Sequence, residues 1–157
     1  MAAGKWKVYE QAKVRMGNLT AVDFTSTSNW NMALFLSTSN ANTLSVNSVY
    51  ADLTNEVANA NGYTTGGVNI TGQTWTNASG TITFTMSNGV WTASGGSITA
   101  RFAVIYKNAT VNSIVKPLLC VCLLDTTPAD VTATTGNTLT IAINASGVFT
   151  LSGAAVD

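Results

Sequence analysis

A chain of 157 residues with seven basic and seven acidic side chains, no histidine and only 9% charged residues has the size of one domain. The missing histidine removes the commonest general base and the commonest zinc ligand, and zero net charge argues against nucleic acid, which needs a basic footprint. Threonine, asparagine and serine supply 25, 16 and 13 residues, a composition for strands and turns rather than helices.

Taken in chain order, the first residues hold no apolar run of signal-peptide length, and no stretch approaches the roughly 18 apolar residues of a membrane span. Over Lys5–Met16 the residues Trp6, Tyr9, Ala12 and Met16 recur at three and four positions, which predicts one helix with an apolar stripe. Glu10 and Lys13 can pair on its outer face, and Gly17-Asn18 is a stop signal. Lys5, Lys7, Lys13 and Arg15 make this segment basic, so residues 1–17 read as a helical arm and 18–157 as a single β-domain. A strand over Ala21–Phe24 and a short helix over Val49–Asn59, where Val49, Leu53 and Val57 are four apart, are weaker expectations.

The remainder reads as strands. Val68–Trp75 changes parity across Gly72, which predicts a bulge. Thr81–Met86 alternates, with Ile82, Phe84 and Met86 on one face, and Asn88-Gly89 is the sequence of a tight hairpin into Val90–Ala93. Ser97–Lys107 puts Ile98, Phe102, Val104 and Tyr106 on one face. Leu139, Ile141 and Ile143 alternate with polar or small residues, and Phe149 and Leu151 follow the turn at Ser146-Gly147. About eight strands with close turn signals predict an antiparallel β-sandwich or jelly roll with an N-terminal helix. Met32–Leu36 and Leu118–Leu124 are apolar on both faces. In a two-layer sandwich the second face needs a cover; the helix suits one strand and a neighbouring subunit the other, an expectation of dimers or trimers.

Candidate chemistry is sparse. Phosphate loops, dinucleotide fingerprints, nucleophile elbows and calcium loops are all missing, so we expect no enzymatic activity, no cofactor and no metal. Cys120 and Cys122 read as reduced core thiols. Asp125 and Asp130 flank a turn and read as turn caps before they read as a carboxylate pair for glycoside hydrolysis or a cation site. Asp52 and Glu56, four apart, read as a solvated helix face. Five N-x-S/T sequons, at Asn18, Asn69, Asn77, Asn108 and Asn144, are about what so much Asn, Ser and Thr yields by chance. Trp30, Trp75 and Trp91 suit either a sugar-stacking platform or core positions. Trp6, set between Lys5 and Lys7, suits either the helix stripe or an anchor that grips a partner.

Lys5-Trp6-Lys7-Val8-Tyr9 and Asn31-Met32-Ala33-Leu34-Phe35-Leu36-Ser37-Thr38-Ser39 resemble small virion proteins of tailed bacteriophages. The likeness continues through Tyr50-Ala51-Asp52-Leu53-Thr54-Asn55-Glu56-Val57, Asn61-Gly62-Tyr63-Thr64-Thr65-Gly66-Gly67 and Trp91-Thr92-Ala93-Ser94-Gly95-Gly96-Ser97-Ile98-Thr99-Ala100-Arg101. The resemblance implies a capsid cement or decoration protein, made in the host cytoplasm and bound to the capsid surface, with the major capsid protein as partner and neither nucleic acid nor membrane. A tail or fibre component and a β-sandwich carbohydrate-binding module are the alternatives. On this reading Lys5, Trp6, Lys7, Tyr9 and Arg15 are the expected capsid contacts.

Overall fold

The computed structural model describes residues 3–17, 23–25, 29–127 and 129–153. Within them lie β1 (Lys7–Val8), α1 (Glu10–Met16), β2 (Trp30–Phe35), a single 3-10 turn (Tyr50–Asp52), β3 (Val68–Ile70), β4 (Thr74–Ala78), β5 (Thr81–Thr85) and β6 (Gly89–Thr92). They continue with β7 (Ile98–Ala100), β8 (Phe102–Lys107), β9 (Thr110–Val111), β10 (Ile114–Val115), β11 (Leu118–Leu123), β12 (Val131–Ala133), β13 (Thr138–Ile141) and β14 (Phe149–Ser152). The protein is mainly β, a sandwich with a short N-terminal helix.

The main sheet has the order β1-β11-β8-β2-β3, and every pairing in it is antiparallel. Its middle strands carry no polar face: all six residues of β2 and all six of β8 are buried, as are Leu118–Cys122 of β11. The chain itself covers both faces. On one, Trp30 meets Phe84 of β5 at 5.7 Å between ring centroids, within a cluster that also holds Phe24, Trp75 and Phe149. On the other, Phe35 and Tyr106 meet Tyr50 of the long connection between β2 and β3. The two-faced strands are therefore the centre of a three-layer arrangement, and the expectation that a neighbouring subunit covers one of them is corrected. The remaining strands form the smaller sheets β14-β5-β4, β13-β6, β12-β7 and β10-β9.

Several local expectations are overturned. The N-terminal helix begins at Glu10, because residues 5–9 alternate exposed and covered, and a period of two lets Lys7 and Val8 pair with Val121 and Cys120. β1 belongs to the main sheet and α1 packs on β11, so residues 3–17 pack as part of the β-structure. The helix expected over Val49–Asn59 is one 3-10 turn. There the Asp52 carboxylate accepts the Ser48 and Val49 N–H groups, after which the chain extends so that Glu56 bridges Phe35. The strand expected at Ala21–Phe24 lies outside the described residues except for Asp23 and Phe24.

The hairpin expected at Asn88-Gly89 does not form. β5 pairs with β4 and β14, whereas β6 pairs with β13. The tight turn is instead Ser79-Gly80, with φ of 49° and 80°, joining β4 to β5. Asn88 accepts the Ile143 N–H through its side chain, and Gly89 packs against Met32 and Trp91. Gly72, at φ 69°, separates two strands of different sheets rather than bulging one. Ser97–Lys107 is likewise broken at Arg101, whose N–H donates to Phe35 while β7 leaves for β12.

Candidate docking surface

The five expected contact residues divide between surface and interior. Lys5 and Lys7 are exposed, Trp6 is half-buried, Tyr9 has no exposed surface and Arg15 is half-buried. The Tyr9 hydroxyl donates to the Ala41 carbonyl at 2.6 Å. Arg15 donates to the Ser48 carbonyl at 2.8 Å and to the Ser48 hydroxyl at 2.5 Å. Burial lowers the Arg15 pKa while nearby Asp52 opposes the shift. A side chain with no accessible surface touches no partner, so Tyr9 is removed from the expected contacts. Arg15 has its guanidinium engaged by its own fold. Lys5, Trp6 and Lys7 remain.

Lys5 and Trp6 line a cleft of about 820 Å³, and Lys7 follows them in the chain without lining it. One wall is the start of the chain and the end of β11, with Gly4, Lys5, Trp6 and Cys122. The other is β13, β14 and the turn between them, with Leu139, Ile141, Val148 and Phe149. On β13, Leu139 and Ile141 are buried and alternate with exposed Thr138 and Thr140, of which Thr140 also lines the cleft. Among the described residues the lining contains no carboxylate, and Lys5 is its single charged side chain. The sequence signalled the first wall through the Lys-Trp-Lys run. The second wall had no signal, because which strands face the N-terminus is a matter of sheet order.

The other sequence candidates are engaged in the fold. Trp30 and Trp91 are 1% and 3% exposed, and Trp75 stacks on Phe24 at 4.7 Å, so the three do not form an open platform. Asp125 caps the Thr127 N–H at 3.1 Å, and bonding from Thr127 holds its carboxyl below the usual range. Asp130 is paired with Arg101 at 2.7 Å. Glu56, read as helix-face solvation, is instead the acceptor for the hydroxyls of Tyr50 and Tyr63 and for the Gly66 N–H. Lys107, absent from the sequence candidates, is 7% exposed with its ammonium 4.9 Å above the Trp30 ring; burial lowers its pKa and Asp23 opposes the shift.

The Cys122 thiol donates to the Gly4 carbonyl at 3.1 Å, and burial pushes its pKa up to about 11. Cys120 is fully buried and is shifted upward by the same cause. Both are free thiols. Among the described residues no three His, Cys, Asp or Glu side chains gather as metal ligands, and no helix is long and apolar enough to cross a membrane. No protein-family model, curated protein or solved structure matches the chain.

Proposed function

We propose that the protein is a non-enzymatic structural component of a tailed-phage virion, a cement or decoration protein that binds the capsid exterior and stabilises the shell between capsomers. The observation that carries the reading is the run Lys5-Trp6-Lys7. It belongs to one of the segments that resemble phage virion proteins, and its Lys5 and Trp6 line a cleft that holds Leu139, Ile141, Val148 and Phe149 and, among the described residues, no acidic side chain. A cement function needs no reacting group. It needs area that becomes buried across a joint, repeated in many copies so that modest affinities combine. The carboxylates of Asp52, Glu56, Asp125 and Asp130 all have partners inside the fold, which favours a binding role over acid–base chemistry.

The major capsid protein is the proposed partner and the capsid surface the proposed location. Quantitative mass spectrometry of purified virions tests this through the number of copies per major capsid protein. A ratio near one, or a simple fraction of it, is the expected result. A few copies per particle would transfer the protein to the tail or fibre, and absence from the particle would end the virion reading.

A further inference from the structure

We infer that the cleft and the edge of β1 opposite β11, unpaired among the described residues, receive an extended, acidic segment of a neighbouring shell protein, which adds a strand beside β1 and sets its apolar side chains into the cleft. The identity of the partner as a shell protein rests on the proposed function; the chemistry of the site does not.

Three observations carry the inference. First, β1 is an edge strand whose neighbour within the described residues is β11. The Tyr9 N–H donates to Leu119 at 3.1 Å, and Lys7 pairs with Val121. In an antiparallel ladder the alternate residues, Trp6 and Val8, therefore turn their N–H and C=O groups away from β11. Such an edge is a template for another strand. Second, the cleft lies along the same segment, where Gly4, Lys5 and Trp6 line it and face Ile141, Val148 and Phe149. A strand entering beside β1 would point every second side chain toward these apolar walls. Third, Lys5 and Lys7 are exposed and have no ion pair among the described residues.

The lysines decide what the occupant is. Like charges facing one another repel, so this edge disfavours the same edge of a second copy and guards against edge-to-edge association. The same lysines attract a segment carrying Asp or Glu. Attraction for one partner and repulsion of another is how a surface acquires specificity. The occupant is thus a different chain, with alternating apolar residues and carboxylates placed to meet Lys5 and Lys7.

The test uses the full chain, immobilised and presented with a library of short random peptides. Selected sequences should be enriched in Asp and Glu flanking alternate apolar residues. The Trp6 and Val8 amides should gain hydrogen-exchange protection in the complex, because they become strand donors. Lys5→Glu with Lys7→Glu should weaken a selected peptide by about tenfold and should draw basic sequences from the same library. Both positions are exposed, so the variant is expected to fold, which its unfolding temperature checks. Failure to enrich acidic sequences, enrichment unchanged in the double variant, or unprotected Trp6 and Val8 amides would each overturn the inference. A protein present at shell stoichiometry whose cleft selects nothing acidic loses the cleft assignment alone. One absent from particles that still selects acidic sequences loses the shell role alone.

Discussion

Glu56 accepts the Tyr63 hydroxyl at 2.5 Å, and the same hydroxyl oxygen accepts the Leu34 N–H at 3.0 Å. A carboxylate from an irregular segment is thereby tied through one tyrosine to the backbone of β2, beside the central strand β8. The Glu56 carboxylate also receives the Tyr50 hydroxyl and the Gly66 N–H, so the connection between β2 and β3 is held at several points. Replacing Glu56 by Ala strands these donors. The expected loss is about 3 kcal/mol, a fall in unfolding temperature of roughly 10 °C. Tyr63→Phe should cost less, about 1–2 kcal/mol, since it frees the Leu34 N–H but keeps the ring. Thermal unfolding of both variants checks the order; a smaller loss for Glu56→Ala than for Tyr63→Phe would refute it.

Stability at alkaline pH follows from the tyrosines. Burial, with a contribution from Glu56, pushes Tyr106 from 10.0 up to about 12. Tyr9, Tyr50 and Tyr63 are also raised, chiefly by burial. A raised pKa means that the folded state holds the proton more tightly than the unfolded chain does. The stabilisation is complete below about 10 and is lost as pH climbs through 10 toward 12 and beyond. The chain has four tyrosines. Their tyrosinate absorbance should therefore stay low past the ordinary tyrosine range and then rise together with loss of near-ultraviolet circular dichroism. A gradual rise near pH 10 in a still-folded protein would contradict this.

The thiols offer a local probe of the N-terminal strand. Since the thiolate is the reactive form and both cysteines are held protonated, an aromatic disulfide reagent should label neither in the native protein at mildly alkaline pH. Both should react on unfolding. Rapid native labelling of Cys122 would mean that its bond to Gly4 opens readily, leaving β1 loosely held.

Gly67 is predicted to resist substitution. At φ +70°, an added Cβ would lie 1.9 Å from the Met32 carbonyl oxygen, a clash between backbone groups that neither can relieve. Gly67→Ala should cost more than about 3 kcal/mol. Gly95 has a similar φ of +76° but open space around it, so Gly95→Ala should cost about 1 kcal/mol. Urea unfolding of the pair separates steric clash from backbone strain.

Much of the fold is legible in the sequence where one face is wet. Thr138–Ile141 alternates and forms β13 as expected, and so does the stretch from Thr81 that becomes β5. Legibility fails where the deciding fact is long-range. Lys5–Tyr9 satisfies both the 3.6 and the 2.0 period, and the free side of β11 settles the choice. Asn88-Gly89 carries a better hairpin signature than Ser79-Gly80, yet the contacts of Gly89 with Met32 and Trp91 outweigh it. Of the expected contacts, Lys5, Trp6 and Lys7 stay accessible. Tyr9, which joins β1 to α1, can point either way on sequence alone, and the bond to the Ala41 carbonyl holds it inward.

The pairing of Lys7 with Val121 and Val8 with Cys120 joins residues 114 and 112 positions apart. While the polypeptide is being synthesised, the start of the chain has no partner until β11 has left the ribosome. The β2–β8–β11 centre brings together elements closer in sequence and closes at a lower entropic cost. Residues 4–8, and with them one wall of the cleft, are then among the last parts to be set in place. The cleft is completed only once the sheet that supports it exists.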